Sequence, residues 1–140
     1  MTCSEHPDNL KVLLIEDSPL LRQVLSGMIE DIDGVEICGY AEDEQHALDI
    51  LETQPIDLAI VDIELKQGSG IGVLKTLGAN PERYGTPHTV ILSNHSHPAM
   101  RKRCESLGID AFFDKSLQMN QLIGYVQDAV ARRSNPSPAP

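Results

Sequence analysis

Lys11-Val-Leu-Leu-Ile-Glu-Asp17 is an unbroken apolar run that ends in two acidic residues. An apolar run without polar alternation is typical of a β-strand that is covered on both faces, as in a parallel sheet. Asp57-Leu-Ala-Ile-Val-Asp62 repeats this pattern, apolar first and then acidic. The two stretches therefore predict two buried strands, each with carboxylates at its C-terminal end.

Further apolar stretches predict three more strands, and helical patterns lie between them, so that strands and helices alternate along the chain. Strands are also predicted at 35–41, 89–93 and 111–113, and helices at 19–33, 42–53, 71–77, 98–107 and 117–133. Crossover helices must cover both faces of a parallel sheet. The sequence thus predicts a doubly wound α/β fold, a flavodoxin-like (βα)5 sandwich with five parallel strands in the order 2-1-3-4-5.

The length and charge of the chain limit both its organisation and its partners. A chain of 140 residues has the size of one domain, which we predict at 11–133, between an N-terminal extension at 1–10 and a disordered Ser/Pro/Ala tail at 134–140. The net charge of −10 disfavours direct contact with nucleic acid or with an anionic membrane surface. We therefore expect protein partners.

The cysteines and the apolar runs bear on the cellular location. Cys3, Cys38 and Cys104 are odd in number and widely scattered, with no spacing that defines a disulfide framework or a zinc site. No segment approaches the roughly 18 apolar residues that a membrane span requires. These features predict a cytoplasmic protein in a reducing compartment.

Polar side chains converge at one edge of the predicted sheet. Ligand sites of such folds lie beyond the carboxyl ends of the strands, between the first and third, where Glu16, Asp17 and Asp62 are expected to meet. Like charges repel there, and carboxylate oxygens without thiolates or imidazoles favour Mg²⁺ as the compensating ion. Ser93 and Lys115 follow strands that end at the same edge. This set of groups suits phosphoryl transfer to or from a carboxylate.

With these positions in place, the sequence resembles the receiver domain of two-component response regulators, the family that includes the single-domain chemotaxis regulator. The resemblance runs from about residue 11 to residue 133. It rests on the acidic pair Glu16-Asp17, on Asp62, on Ser93, on Phe112 and on Lys115, in this order and on these elements.

The resemblance implies a role for each of these residues. Asp62 would accept a phosphoryl group from the phosphohistidine of a histidine kinase or phosphotransfer protein. Glu16 and Asp17 would hold Mg²⁺, with Asp17 the more direct ligand, alongside Asp62 and the backbone carbonyl of Glu64. Lys115 would pair with the phosphoryl oxygens. The only catalysis expected is the protein's own phosphorylation and dephosphorylation.

The resemblance also implies a switch that carries the signal to the surface. Ser93 would turn inward to hydrogen-bond a phosphoryl oxygen, and Phe112 would rotate into the space beside it. The fourth predicted helix, the fifth strand and the fifth predicted helix would form the surface that changes. The few residues after the last predicted helix are too short for a DNA-binding module. We therefore expect a stand-alone regulator whose signal leaves through a protein target or a further phosphotransfer, as a monomer or a phosphorylation-dependent dimer.

Several residues depart from the pattern of the family. Lys66 and Ser116 stand where prolines are frequent, and without the proline a cis peptide at Lys115–Ser116 costs about 2.5–4 kcal/mol. Phe112 lacks the hydroxyl of the commoner tyrosine. The resemblance implies that Glu64 and His95 flank the entrance to the phosphoryl site and tune the hydrolysis of the phosphoryl group. These changes leave open an alternative function, a receiver-like protein-binding module that acts without phosphorylation.

Overall fold

The sheet has the predicted topology. A computed structural model describes residues 9–65, 67–94, 98–116 and 118–134, with side chains up to Arg132. Five strands pair in parallel in the order β2-β1-β3-β4-β5. The strands are β1 (Leu10–Ile15), β2 (Val35–Ala41), β3 (Leu58–Asp62), β4 (His88–Ser93) and β5 (Ala111–Asp114). The prediction of a doubly wound α/β fold is confirmed.

Within the described residues, six helices connect and cover the strands. They are α1 (Pro19–Glu30), α2 (Glu44–Thr53), α3 (Gly70–Ala79), α4 (Pro81–Tyr84), α5 (Pro98–Ser106) and α6 (Met119–Ser134). The fourth and fifth predicted helices correspond to α5 and α6. The short helix α4 was not predicted, because a single turn that begins at a proline carries no repeating apolar pattern.

Two apolar clusters, one on each face of the sheet, form the core. Leu13 and Ile15 of β1 point into a cluster that contains buried residues of α2 and α3 and Cys104 of α5. Val12 and Leu14 point to the other face, into a cluster with buried residues of α1 and α6. All six residues of β1 are buried, which explains why the strand is apolar without alternation.

Capping residues determine where the helices near the strand ends begin. The Ser18 side chain accepts a hydrogen bond from the backbone N–H of Leu21 at 3.3 Å, and the Asp43 side chain accepts one from His46 at 2.8 Å. Because Asp43 caps α2, this helix begins at Glu44, two residues later than predicted. Gly108 follows α5 with a φ of +86°, as expected of a glycine that ends a helix.

The cysteine prediction needs a correction. Cys38 on β2 is disulfide-bonded, contrary to the expectation that the cysteines form no disulfide, whereas Cys104 is free and buried. The spacing of the cysteines along the sequence does not indicate this bond.

The terminal predictions mostly concern residues that the structure does not describe. Residues 1–8 and 135–140 lie outside the described residues, so the predicted extension and tail stay predictions. Within the described part of the chain, no helix is long and apolar enough to cross a membrane.

Candidate functional site

Three carboxylates meet at the C-terminal edge of the sheet. Glu16 and Asp17 directly follow β1, and Asp62 is the last residue of the neighbouring strand β3. One carboxylate oxygen from each of the three lies within 4.8 Å of the others. Glu16 and Asp62 are only 1% and 3% exposed, while Asp17 is half-buried. The structure therefore brings together the acidic residues that the sequence placed at this edge.

Lys115 joins two of these carboxylates. Its Nζ atom lies 2.7 Å from Asp62 Oδ2 and 2.9 Å from Glu16 Oε1. The backbone N–H of Lys115 donates to the carbonyl oxygen of Ser93 at 2.9 Å. This hydrogen bond holds Lys115, which follows β5, beside the last residue of β4. Burial acts to lower the pKa of Lys115, but hydrogen bonds to Asp62 and Glu16 outweigh it and raise the pKa above 10.5. Lys115 is therefore an ammonium ion in this site.

Backbone groups fix the other oxygens of the two buried carboxylates. The N–H of Ser18 donates to Glu16 Oε2 at 3.1 Å, and the N–H of Glu64 donates to Asp62 Oδ1 at 3.1 Å. Each carboxylate thus contacts one backbone donor and the same ammonium group. Such charge-assisted contacts hold both side chains in defined positions.

The electrostatics of the cluster favour a divalent cation. Burial raises the pKa of Glu16, although the hydrogen bond from Lys115 opposes this effect. Burial and the neighbouring Glu16 carboxyl raise the pKa of Asp17. Among the described residues, the three carboxylates share one ammonium ion, that of Lys115, so their charge exceeds that of their ion-pair partner by two when all three are ionised. A cluster of hard oxygen donors with this charge fits Mg²⁺.

The carboxylates and Lys115 open onto a cleft of about 420 Å³. Its lining also includes Leu21 and Asn94, neither of which was singled out from the sequence. Asn94 directly follows β4, so the rule that polar residues after parallel strands share an edge would have found it. Leu21 belongs to the apolar pattern of α1 and gave no such signal.

Ser93 and Phe112 are not among the described residues that line the cleft. Ser93 is the last residue of β4 and is buried. Phe112 on β5 is 4% exposed and packs in the apolar cluster on the side of α5, where the Arg101 guanidinium lies 5.4 Å from its ring centroid. The predicted switch residues are thus adjacent to the site through β4 and β5, and their movement stays a prediction.

The structure also describes two further residues that were compared with the family pattern, Ser116 and Glu64. The N–H of Ser116 donates to Asp114 Oδ1 at 2.7 Å, a hydrogen bond that a proline at this position lacks the donor to form. The described residues contain no cis peptide bond. Glu64 is exposed at the mouth of the cleft. Lys66 and His95 lie outside the described residues.

Comparison with protein families settles which family has this arrangement. The model of the response regulator receiver domain matches residues 12–127. The chain belongs to this family. This receiver domain is similar to a protein-glutamate methylesterase/protein-glutamine glutaminase of Desulfotalea psychrophila, with 33% identity over 74% of the chain, and to the transcriptional regulatory protein PdtaR of Mycobacterium tuberculosis, with 29% identity over 87% of the chain.

The curated relatives are longer proteins than this receiver domain. The matched region covers 28% of the Desulfotalea protein and 57% of the Mycobacterium protein. Among solved structures, the response regulator domain of Thermotoga maritima CheB superposes with a TM-score of 0.73 and 22% identity. That superposition covers 93% of this chain and 99% of the CheB domain, which shows the shared fold.

Proposed function

We propose that this receiver domain accepts a phosphoryl group on Asp62 from the phosphohistidine of a histidine kinase or phosphotransfer protein. The observation that carries the proposal is the position of the Asp62 carboxylate, which lies in a cleft between Lys115 Nζ at 2.7 Å and the Glu64 N–H at 3.1 Å. Glu16 and Asp17 each have a carboxylate oxygen within 4.8 Å of an Asp62 carboxylate oxygen. The carboxylate is thus oriented, and the charge that arrives with a phosphoryl group has a cation next to it.

The proposed reaction has two steps. A carboxylate oxygen of Asp62 attacks phosphorus and the P–N bond of the donor breaks. The electron pair of this bond stays on the donor nitrogen, and a neutral imidazole leaves with a proton on its other ring nitrogen. In the second step water attacks the phosphorus of the aspartyl phosphate, and inorganic phosphate and the free carboxylate are formed. Lys115 loses its contact with the Asp62 oxygen that becomes phosphorylated and pairs with a phosphoryl oxygen instead.

Mg²⁺ belongs to this proposal as a cofactor. Glu16, Asp17 and Asp62 would hold it, with the backbone carbonyl of Glu64 as the family resemblance implies. When bound, Mg²⁺ compensates the negative charge of the carboxylates and of the phosphoryl oxygens. The close approach of the three carboxylates supports this assignment, because in the described part of the chain they share a single ammonium group, that of Lys115.

The proposed output is a protein–protein interaction. Ser93 ends β4 next to Asp114 of β5, and Phe112 packs between β5 and α5. A shift of Ser93 toward the phosphoryl group would alter the packing of Phe112 and with it the face formed by α5, β5 and α6. The existence of a protein target, the state as a monomer or a phosphorylation-dependent dimer, and the cytoplasmic location stay predictions from the sequence.

Intact-mass spectrometry tests the proposed reaction. The protein is incubated with acetyl phosphate or phosphoramidate, with Mg²⁺ or with EDTA, and compared with Asp62→Asn and with Asp49→Asn, an exposed aspartate of α2. We expect the mass of one phosphoryl group on the wild type and on Asp49→Asn, only with Mg²⁺, and none on Asp62→Asn. A folded wild type that binds Mg²⁺ but gains no mass would favour the phosphorylation-independent binding module.

A further inference from the structure

Glu44, the first residue of α2, contacts the loop that follows the proposed phosphoryl acceptor. Its carboxylate Oε1 accepts a hydrogen bond from the backbone N–H of Ser69 at 3.1 Å. Its own backbone N–H donates to the carbonyl oxygen of Gln67 at 3.2 Å. The first turn of α3 contains no acidic residue, so the negative charge at the N-terminus of this helix comes from a different helix.

Glycines make room for the Glu44 carboxylate. A Cβ atom on Gly72 would collide with Glu44 Oε1, and a Cβ atom on Gly68 would lie 2.5 Å from the Cβ of Glu44. Gly68 also has a φ of +78°, which glycine adopts readily. The Gly68-Ser-Gly70 segment, which the sequence marked only as a loop and helix start, therefore forms the surface against which Glu44 packs.

Short backbone contacts connect this loop to Asp62. Ser69 forms an antiparallel bridge with Glu64, and the N–H of Gly70 donates to the carbonyl oxygen of Ile63 at 2.9 Å. Glu64 in turn donates its N–H to Asp62 Oδ1 at 3.1 Å. A continuous set of contacts thus runs from Glu44 through Ser69 and Glu64 to the carboxylate of Asp62.

We propose that Glu44 is a positioning residue for phosphorylation, which holds the loop after β3 so that the Glu64 N–H stays on the Asp62 carboxylate. This inference rests on the proposed function. Glu44 does not line the cleft as the described residues define it, so it acts through the loop and not on the phosphoryl group. Loss of the carboxylate leaves the Ser69 N–H without this acceptor and releases the start of α3.

Amide hydrogen exchange, followed by NMR on the full chain, tests the structural part without metal or phosphodonor. In Glu44→Ala, exchange at Ser69 and Gly70 should accelerate about tenfold or more, the effect of losing one charge-assisted hydrogen bond. Exchange in the core strands β1 and β4 should stay unchanged. Glu44→Gln keeps an oxygen acceptor and should lie between Glu44→Ala and wild type, while the control Asp49→Asn should match wild type.

The rate of labelling by acetyl phosphate with Mg²⁺ tests the positioning part. We expect Glu44→Ala to be labelled about five- to tenfold more slowly than wild type, and Glu44→Gln to recover part of the rate. Gly72→Ala retains Glu44 but displaces its carboxylate, and it should therefore show both effects. This variant keeps the test valid if Glu44→Ala does not fold.

Different failures of this experiment overturn different statements. If Glu44→Ala and Gly72→Ala are both labelled as fast as the wild type, Glu44 is not a positioning residue, whatever the amide exchange rates of the two variants. Unchanged exchange at Ser69 and Gly70 in both variants would show that Glu44 does not hold the loop. A wild type that takes no phosphoryl group overturns the proposed function and with it the positioning role, and the exchange data still report on the loop.

Discussion

Replacing Lys115 with methionine should destabilise the protein in the absence of metal. The substitution keeps an unbranched side chain of similar length but removes the ammonium group that contacts Asp62 Oδ2 at 2.7 Å and Glu16 Oε1 at 2.9 Å. Two carboxylates whose side chains are 4% and 1% exposed then lose their counterion. The folded state must either hold both charges close together or bind protons to neutralise them.

The size of the effect follows from the burial of the contacts. Removing one partner of a buried ion pair costs about 3–5 kcal/mol. Because the Lys115 side chain is 10% exposed and borders an open cleft, we expect the lower end of this range, about 3 kcal/mol. Mg²⁺ at a hundred times its dissociation constant adds about 2.7 kcal/mol to the free energy of unfolding, which offsets most of that loss.

Urea unfolding of Lys115→Met in EDTA and in Mg²⁺ measures both quantities. Lys75→Met, which changes an exposed lysine of α3, is the matched control. We expect the free energy of unfolding of Lys115→Met in EDTA to fall well below that of the control, and its gain from Mg²⁺ to exceed that of the wild type. Equal midpoints for Lys115→Met and Lys75→Met in EDTA would refute the inference that the ammonium group stabilises the buried carboxylates.

Three further outcomes follow from the same contacts. Asp62→Asn should cost less metal-free stability in urea unfolding than Lys115→Met, about 1 kcal/mol, because it removes one of the mutually repelling charges and its amide oxygen still accepts from Lys115, while its amide nitrogen no longer accepts from the Glu64 N–H. The folded pKa of Glu16 is raised above its ordinary value of 4.5, so metal-free thermal stability should fall as the pH rises from 4.5 through that raised pKa, and Mg²⁺ should suppress the fall. Gly70→Ala, whose Cβ would collide with the backbone oxygen of Asp62, should cost about 1–3 kcal/mol, while Gly78→Ala, with open space around it, should add up to about 1 kcal/mol.

The parts of the fold that depend on local patterning could be predicted from the sequence. The unbroken apolar runs before Glu16 and before Asp62 mark strands with two covered faces, and parallel strands bring their carboxyl ends to one edge. The three carboxylates and Lys115 follow from that geometry, and the structure places them within contact distance. Ser18 and Pro19 likewise identify the start of α1, because a cap and a helical proline act within one turn.

Contacts between distant segments could not be read in the same way. The hydrogen bond from Ser69 to Glu44 joins residues 25 positions apart, and its existence depends on how α2 packs beside α3. The helix α2 begins at Glu44 and not at Glu42, because the side chain of Asp43 accepts a hydrogen bond from the His46 N–H and caps the helix, which the sequence pattern does not show.

Locating the phosphoryl group on the chain tests the central claim most directly. The wild-type protein is phosphorylated with acetyl phosphate and Mg²⁺ and reduced with borohydride, which converts an aspartyl phosphate to homoserine, and its peptides are then sequenced by mass spectrometry. We expect homoserine at position 62 and unmodified side chains at Glu16 and Asp17. Modification at either of those two residues, or at Ser93, with Asp62 unchanged would contradict the assignment of Asp62 as the phosphoryl acceptor.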